Sequence, residues 1–224
     1  MILHKHKITK LDTTLILSVQ KLGKRFNRHW IFRGIDKEFT SGKAYAITGS
    51  NGSGKSTLLQ VLAGAMQHSE GTINIIDFKI SEDGKAVLPE NHYQHISLAT
   101  PYLELIEELT LQEFLRFHFS YKPIVSGQTI KRIIDYIGLQ AAANQQIRYY
   151  SSGMKQRVKL AQAIFSDTQI VLLDEPTTNL DTAGINLYHE LVQQFCKNRL
   201  LIVCSNDENE ISFCDERLDM ANYK

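Results

Sequence analysis

The sequence predicts an α/β fold: a mostly parallel sheet with covered faces, an N-terminal antiparallel β flap and an inserted helical subdomain. Three observations point there. Over the last third of the chain, short apolar runs alternate with helical periodicity, the pattern of a parallel sheet flanked by helices. A glycine-rich loop at Gly49–Ser56 separates a strand-like run from a helical one. Residues 102–150 hold two successive helical patterns with no strand between them. The reading is a single domain over 1–224, with a core and flap in about 1–101 and 151–224 and the helical insert in about 102–150.

Leu15-Ile16-Leu17-Ser18-Val19, Trp30-Ile31-Phe32 and Ile35 to Phe39 read as short β segments, punctuated by Gly23, Asn27, Gly34 and Ser41-Gly42. They make the flap. Ala44-Tyr45-Ala46-Ile47-Thr48 reads as a buried strand and Ser56 to Ala63 as a helix stopped at Gly64. Gly71 to Ile76 alternates as a half-buried strand does, and the polar stretch Ser81-Glu82-Asp83-Gly84 follows. Ile96 to Ala99 is a short strand. Leu111, Phe114, Leu115 and His118 recur at steps of three and four, and Thr110 with Glu113 fits a capping box. Ile130, Ile133, Ile134 and Ile137 repeat that pattern until Gly138. Ala141-Ala142-Ala143 and Gln145-Gln146 read as a helix end and connector. Residues 152–166 are amphipathic, Ile170-Val171-Leu172-Leu173 is a fully apolar strand, and 182–197 are helical. Leu200 to Cys204 is a strand, and 207–213 form a short helix.

Hydrophobic residues make up 43% of the 224, enough for a sizeable core. The net charge of +1 argues against nucleic acid as a partner. No apolar run nears the roughly 18 residues a spanning helix needs. The basic opening, His4 to Lys10, lacks the apolar stretch of a secretory signal and reads as a frayed terminus. Cys196, Cys204 and Cys214 are too widely spaced for a zinc site or a disulfide framework, and read as reduced, buried thiols. His92 and His95 have no ligand pattern around them.

Gly49-Ser50-Asn51-Gly52-Ser53-Gly54-Lys55-Ser56 fits G-x-x-x-x-G-K-[ST] at every fixed position. Glycines let the backbone turn its amides inward on oxyanions. Gly49, Ser50, Asn51, Gly52, Ser53 and Gly54 form that cradle, and Thr57 continues it into the helix N-terminus. Lys55 brings a point charge for the β- and γ-phosphates, and Ser56 a hydroxyl ligand for Mg²⁺. The apolar strand at 170–173 ends in Asp174-Glu175, at the edge where open parallel sheets bind ligands. Asp174 is placed to hold Mg²⁺, and Glu175 to polarise an attacking water as a general base. The bland alternatives are a Gly-rich turn and a pair of solvated carboxylates. The two motifs in one chain favour a ligand with a phosphate chain, held with Mg²⁺.

With these residues the chain resembles the nucleotide-binding subunit of ATP-binding cassette (ABC) transporters, over about residues 15 to 217. Tyr150-Ser151-Ser152-Gly153-Met154, then Lys155-Gln156-Arg157, stand where that family writes LSGGQ followed by Gln-Arg. Pro176-Thr177-Thr178-Asn179-Leu180-Asp181 resembles its D-loop, with Asp181 as the acid, and Phe26 falls where the family sets a ring on adenine. The resemblance implies a P-loop NTPase core and ATP hydrolysis coupled to transport. It also implies a head-to-tail dimer with a second copy or a related cassette. Ser151 and Gly153 of one copy would grip the γ-phosphate held by the other; the alternative is a Ser-Gly helix cap and no more. Integral membrane subunits are the implied partners, and the cytoplasmic face of a membrane the implied location. Tyr102, Leu103, Leu105, Ile106 and Leu109 read first as subdomain core, and second as a groove for a coupling helix of that partner.

Three places depart from the family pattern. Tyr150, Ser152 and Met154 replace Leu, Gly and Gln of the signature. The family's glutamine after the strand at 96–99 aligns with Pro101 or Thr100. Asn206 takes the place of the switch histidine. Its amide can bond a phosphate oxygen and a carboxylate together but carries no positive charge. The expectation is therefore ATP binding with slow turnover. The other readings are an ATP-binding sensor with little hydrolysis and a non-transport regulator.

Overall fold

The computed structural model describes residues 15–77, 85–87 and 91–224. The basic stretch His4 to Lys10 and the polar stretch Ser81 to Gly84 lie outside them. The chain opens with a hairpin of two 12-residue strands, β1 (Leu15–Phe26) and β2 (His29–Thr40). Next come β3 (Ala44–Thr48), α1 (Lys55–Leu62), β4 (Glu70–Asp77) and β5 (Lys85–Val87). The flap is an antiparallel sheet in the order β2-β1-β4-β5. Gly23 and Gly34 do not end strands as the sequence suggests. Both lie inside them, around register shifts between Val19 and Arg25. Leu15, Leu17 and Val19 alternate inward, and the shift returns Leu22 to the same buried side. The turn itself is Asn27-Arg28, with Asn27 at φ +53, a conformation asparagine tolerates.

After α2 (His92–His95) and β6 (Ile96–Ala99), the helical insert contributes α3 (Leu111–Tyr121) and α4 (Ile130–Tyr136). Then follow α5 (Ser152–Ile164), β7 (Ile170–Asp174), α6 (Thr182–Phe195), β8 (Leu200–Cys204), α7 (Glu208–Ile211) and β9 (Glu216–Asp219). The parallel sheet runs β6-β7-β8-β3-β9. β9 was not legible in the sequence, because only Leu218 of Glu216–Asp219 is buried and one residue makes no pattern.

The apolar strands cover both faces of this sheet by period-2 alternation. Val171 and Leu173 of β7 join one cluster with Leu201 and Val203 of β8, α3, α4, α5 and α6. Ile170 and Leu172 join the other, with Leu200 and Ile202, α1 and the flap. The helical insert therefore shares its core with the sheet. Its first helix starts as expected: the Thr110 N–H donates to Glu113 Oε2 at 2.9 Å, and the Glu113 N–H donates to Thr110 Oγ1 at 3.3 Å. The stretch before it divides. Leu105 is buried, whereas Tyr102 is 80% and Ile106 39% exposed, so the reading of 102–109 as core holds for only part of the stretch. Cys196 and Cys204 are buried. Burial pushes the Cys196 thiol up to about 11, which keeps it protonated.

Candidate functional site

Three loops meet at one edge of the parallel sheet because β7, β8 and β3 are neighbours in it. β3 runs into the glycine loop, β7 ends in Asp174, and β8 runs into Ser205-Asn206. Parallel strands deliver their carboxyl ends to the same edge.

In the glycine loop the Ser53 N–H donates to the Ser50 carbonyl at 3.0 Å and closes a turn. Gly54 takes φ +101 at the N-cap of α1, and a Cβ there would lie 2.6 Å from Cγ2 of Ile31 on β2. Only glycine fits both the dihedral and the approach. No side chain caps α1 and no acid occupies its first turn. Its leading amides, at the positive end of the helix dipole, suit an anion. Lys55 is buried, and its Nζ donates to Gly49 O at 2.6 Å and Ser50 O at 3.4 Å. A phosphate is a stronger partner for that ammonium than a carbonyl dipole.

Asp174 is 2% exposed. Its Oδ1 and the Ser53 Oγ are buried with no hydrogen-bond partner among the described residues. Burial pushes the Asp174 carboxyl above the usual carboxylate range; the Ser56 hydroxyl draws it back, and the charge of Glu175 pushes it further up. A buried carboxylate oxygen left without a donor among the described residues, beside a serine hydroxyl, suits Mg²⁺. That ion takes few protein oxygens and completes its shell with water and phosphate. Glu175 is exposed and takes φ +44. Its N–H donates to Cys204 O at 2.9 Å. One acid is thus buried at the strand end and the next reaches solvent.

Asn206 departs from expectation. The sequence reading gave its amide to a phosphate and a carboxylate. Instead Oδ1 accepts from the Gly49 N–H at 3.0 Å, and Nδ2 donates to Gly49 O at 2.8 Å. β8 and β3 pair directly, so the loop after one lies beside the loop after the other. A carboxamide matches the donor and acceptor of a peptide group.

The signature residues form a second cluster, at the start of α5. Ser151 caps that helix, its Oγ accepting from the Met154 N–H at 3.2 Å. A Cβ on Gly153 would meet the Asn179 carbonyl at 2.9 Å. Asp181 caps α6 by accepting from the Gly184 N–H at 2.8 Å, and lies 3.3 Å from Arg157. Ser151, Gly153 and Asp181 line an open cavity of about 500 Å³, and no glycine-loop residue is among its lining. The site residues therefore fall in two places within one chain. Gln156 joins them: buried on α5, it donates to the Pro176 carbonyl beside Glu175 at 2.7 Å. The sequence named Gln156 in a motif but gave it no role. Pro101 keeps its carbonyl on Lys159 Nζ at 2.5 Å. Phe26 ends β1, exposed, with Lys24 Nζ 4.8 Å from its ring centre.

A family model described as ABC transporter matches residues 32–178, more than half of the chain. The chain belongs to the ABC transporter family. An uncharacterized ABC transporter ATP-binding protein of Bacillus subtilis (strain 168), YybJ, is 31% identical over 207 residues, 92% of either chain. The lipoprotein-releasing system ATP-binding protein LolD of Protochlamydia amoebophila (strain UWE25) is 28% identical, over 94% of this chain and 96% of its own. A solved ATP-binding subunit of an ABC transporter superposes with a TM-score of 0.78 over 91% of this chain and 85% of its own. At 23% identity that likeness speaks to the fold alone. The ABC match covers the glycine loop and the Asp174-Glu175 strand end; Phe26, Asp181 and Asn206 fall outside it. As an ABC ATP-binding subunit, the protein is an ATPase of that family.

Proposed function

We propose that this chain binds and hydrolyses Mg²⁺-ATP where β3, β7 and β8 end, as one half of a dimer that powers separate membrane subunits. One observation carries the reading. The uncapped N-terminus of α1, the buried Lys55 ammonium and the unsatisfied Asp174 Oδ1 belong to one sheet edge, on the two strands that flank β8. Amides of 49–57 and Lys55 bind the triphosphate, and Phe26 stacks on adenine. Ser56 and Asp174 hold Mg²⁺, which when bound neutralises charge on the phosphoryl oxygens. Glu175 accepts a proton from the attacking water. Ser151, Gly153 and Asp181 of a second copy, or of a related cassette, close over the γ-phosphate. No helix among the described residues is long and apolar enough to cross a membrane. We assign the crossing to partner subunits, with this chain on the cytoplasmic face. Exposed Tyr102 and Ile106 offer a coupling helix of that partner an apolar contact.

Calorimetry with Mg²⁺-ATP tests the first step. Charged hydrogen bonds are worth about 1.5–3 kcal/mol, so Lys55→Ala should weaken binding by about 10- to 150-fold. Equal heats from both proteins would overturn the proposal. Turnover tests the second. Asn206 brings no positive charge to the γ-phosphate, so the native rate should fall well below the about 10 s⁻¹ typical of enzymes. Asn206→His should raise it. A fast native enzyme, unmoved by that exchange, would refute slow turnover. A sensor reading is favoured by Asn206 being held on Gly49 and by the apolar Pro101 where the family has glutamine. It predicts the same residual rate with and without the Glu175 carboxylate.

A further inference from the structure

Glu210 is 3% exposed, and nothing in the proposed chemistry uses it. Among the described residues it forms no ion pair. Its Oε1 accepts two short hydrogen bonds, from the Thr177 N–H at 2.6 Å and from Thr177 Oγ1 at 2.6 Å. Its backbone is fixed as well: the Tyr188 hydroxyl, fully buried on α6, donates to the Glu210 carbonyl at 2.8 Å. A carboxylate is costly to bury unless its hydrogen bonds are made. Both bonds go to one residue, two places after Glu175.

We propose that Glu210 is a positioning residue that holds the Glu175 loop in its strained, catalytically useful turn. The reading rests on Glu175 as the base. A non-glycine residue at φ +44 persists only where its surroundings over-determine it. The main ties among the described residues can be named. Glu175 N–H bonds Cys204 O, Gln156 bonds Pro176 O, Glu210 takes both donors of Thr177, and Thr178 N–H returns to Glu175 O at 3.2 Å. Only the Glu210 tie uses a side-chain carboxylate. Glu210 also sits four residues after Asn206, whose amide is bonded to Gly49. The segment from Asn206 to Glu210 thus fastens the phosphate loop at one end and the base loop at the other. It fixes the separation between the carboxylate that takes the proton and the phosphate that is attacked. A misplacement of about 1 Å at such a centre can slow a reaction about 100-fold.

The test is steady-state ATP hydrolysis alongside the Mg²⁺-ATP Kd, both normalised to folded protein. Glu210→Ala should lower kcat by about 10- to 100-fold with Kd changed less than about threefold. Thr177→Val keeps the backbone bond, loses the hydroxyl bond and should fall between. Glu210→Gln retains an oxygen that can accept both bonds, and should recover kcat to within about threefold of native. A purely electrostatic role predicts the opposite order, with Gln as poor as Ala. A purely architectural role predicts a lower melting temperature with native kcat per folded molecule. Either result overturns the proposal. If Glu210→Ala does not fold, a native kcat in Thr177→Val overturns it alone. Glu175→Gln, run in parallel, separates the two readings. A native rate there removes the base assignment; a collapsed rate there with native kcat in Glu210→Ala removes only this inference.

Discussion

Glu175→Gln should lower ATP turnover by about 10²- to 10⁴-fold and leave Mg²⁺-ATP binding intact, the range expected when a general base is lost. The exchange is close to isosteric. It keeps the backbone bond from residue 175 to Cys204 O and asks for the same φ of +44. On the proposed mechanism, what it removes is the proton acceptor. It also removes a negative charge that raises the proton affinity of Asp174, so the proposed magnesium position should improve or hold. Binding without turnover should then accumulate the ATP-bound form. If Ser151 and Gly153 of a second copy complete the site, size-exclusion chromatography of Glu175→Gln with Mg²⁺-ATP should show a dimer. Lys55→Ala combined with it should abolish that dimer. A turnover within about threefold of native would take Glu175 out of the chemistry and leave the sensor reading standing.

The parts of the candidate site could be picked out of the sequence because each is local in it. The glycine loop carries its own geometry in its spacing, and the apolar run at 170–173 announces both a buried strand and the acids at its end. The capping box at Thr110 and Glu113 is likewise complete within four residues. What remained hidden depends on which strands become neighbours. Asn206 bonds Gly49 across 157 residues because β8 lies against β3. Glu210 reaches Thr177 because the loops after β7 and β8 run side by side. Neither pairing leaves a trace in local composition. The flap is the antiparallel sheet expected, but its strand ends were misplaced for another reason. A glycine inside a bulged strand and a glycine in a turn look alike, until the partner strand shows that pairing continues past it.

Arg199→Met should destabilise the protein by about 3–5 kcal/mol, the cost of leaving several part-buried oxygens without their charged donor. Arg199 precedes β8 and sends its guanidinium across the ends of two other elements. Nε donates to Thr168 O at 2.6 Å, Nη1 to Ile164 O at 2.7 Å, and Nη2 to Ser166 O at 2.9 Å and Thr168 Oγ1 at 2.6 Å. Ile164 is the last residue of α5, so the cation serves a carbonyl the helix leaves unpaired, at the negative end of its dipole. Burial pulls the Arg199 pKa down, yet a guanidinium stays charged, and its planar fork reaches acceptors in several directions. Methionine fills the volume but leaves these oxygens, and the Ser97 hydroxyl that Nη2 reaches at 3.5 Å, without that donor. Lysine restores the charge at one point and should recover only part of the loss. For a chain of this size each kcal/mol moves Tm by about 2–4 °C, so the methionine variant should melt about 6–20 °C lower. Because α5 carries Ser151 at one end and this anchor at the other, the proposed ATP-dependent dimerisation should weaken along with stability. A shift under about 2 °C would mean that water satisfies those oxygens and that the anchor contributes little.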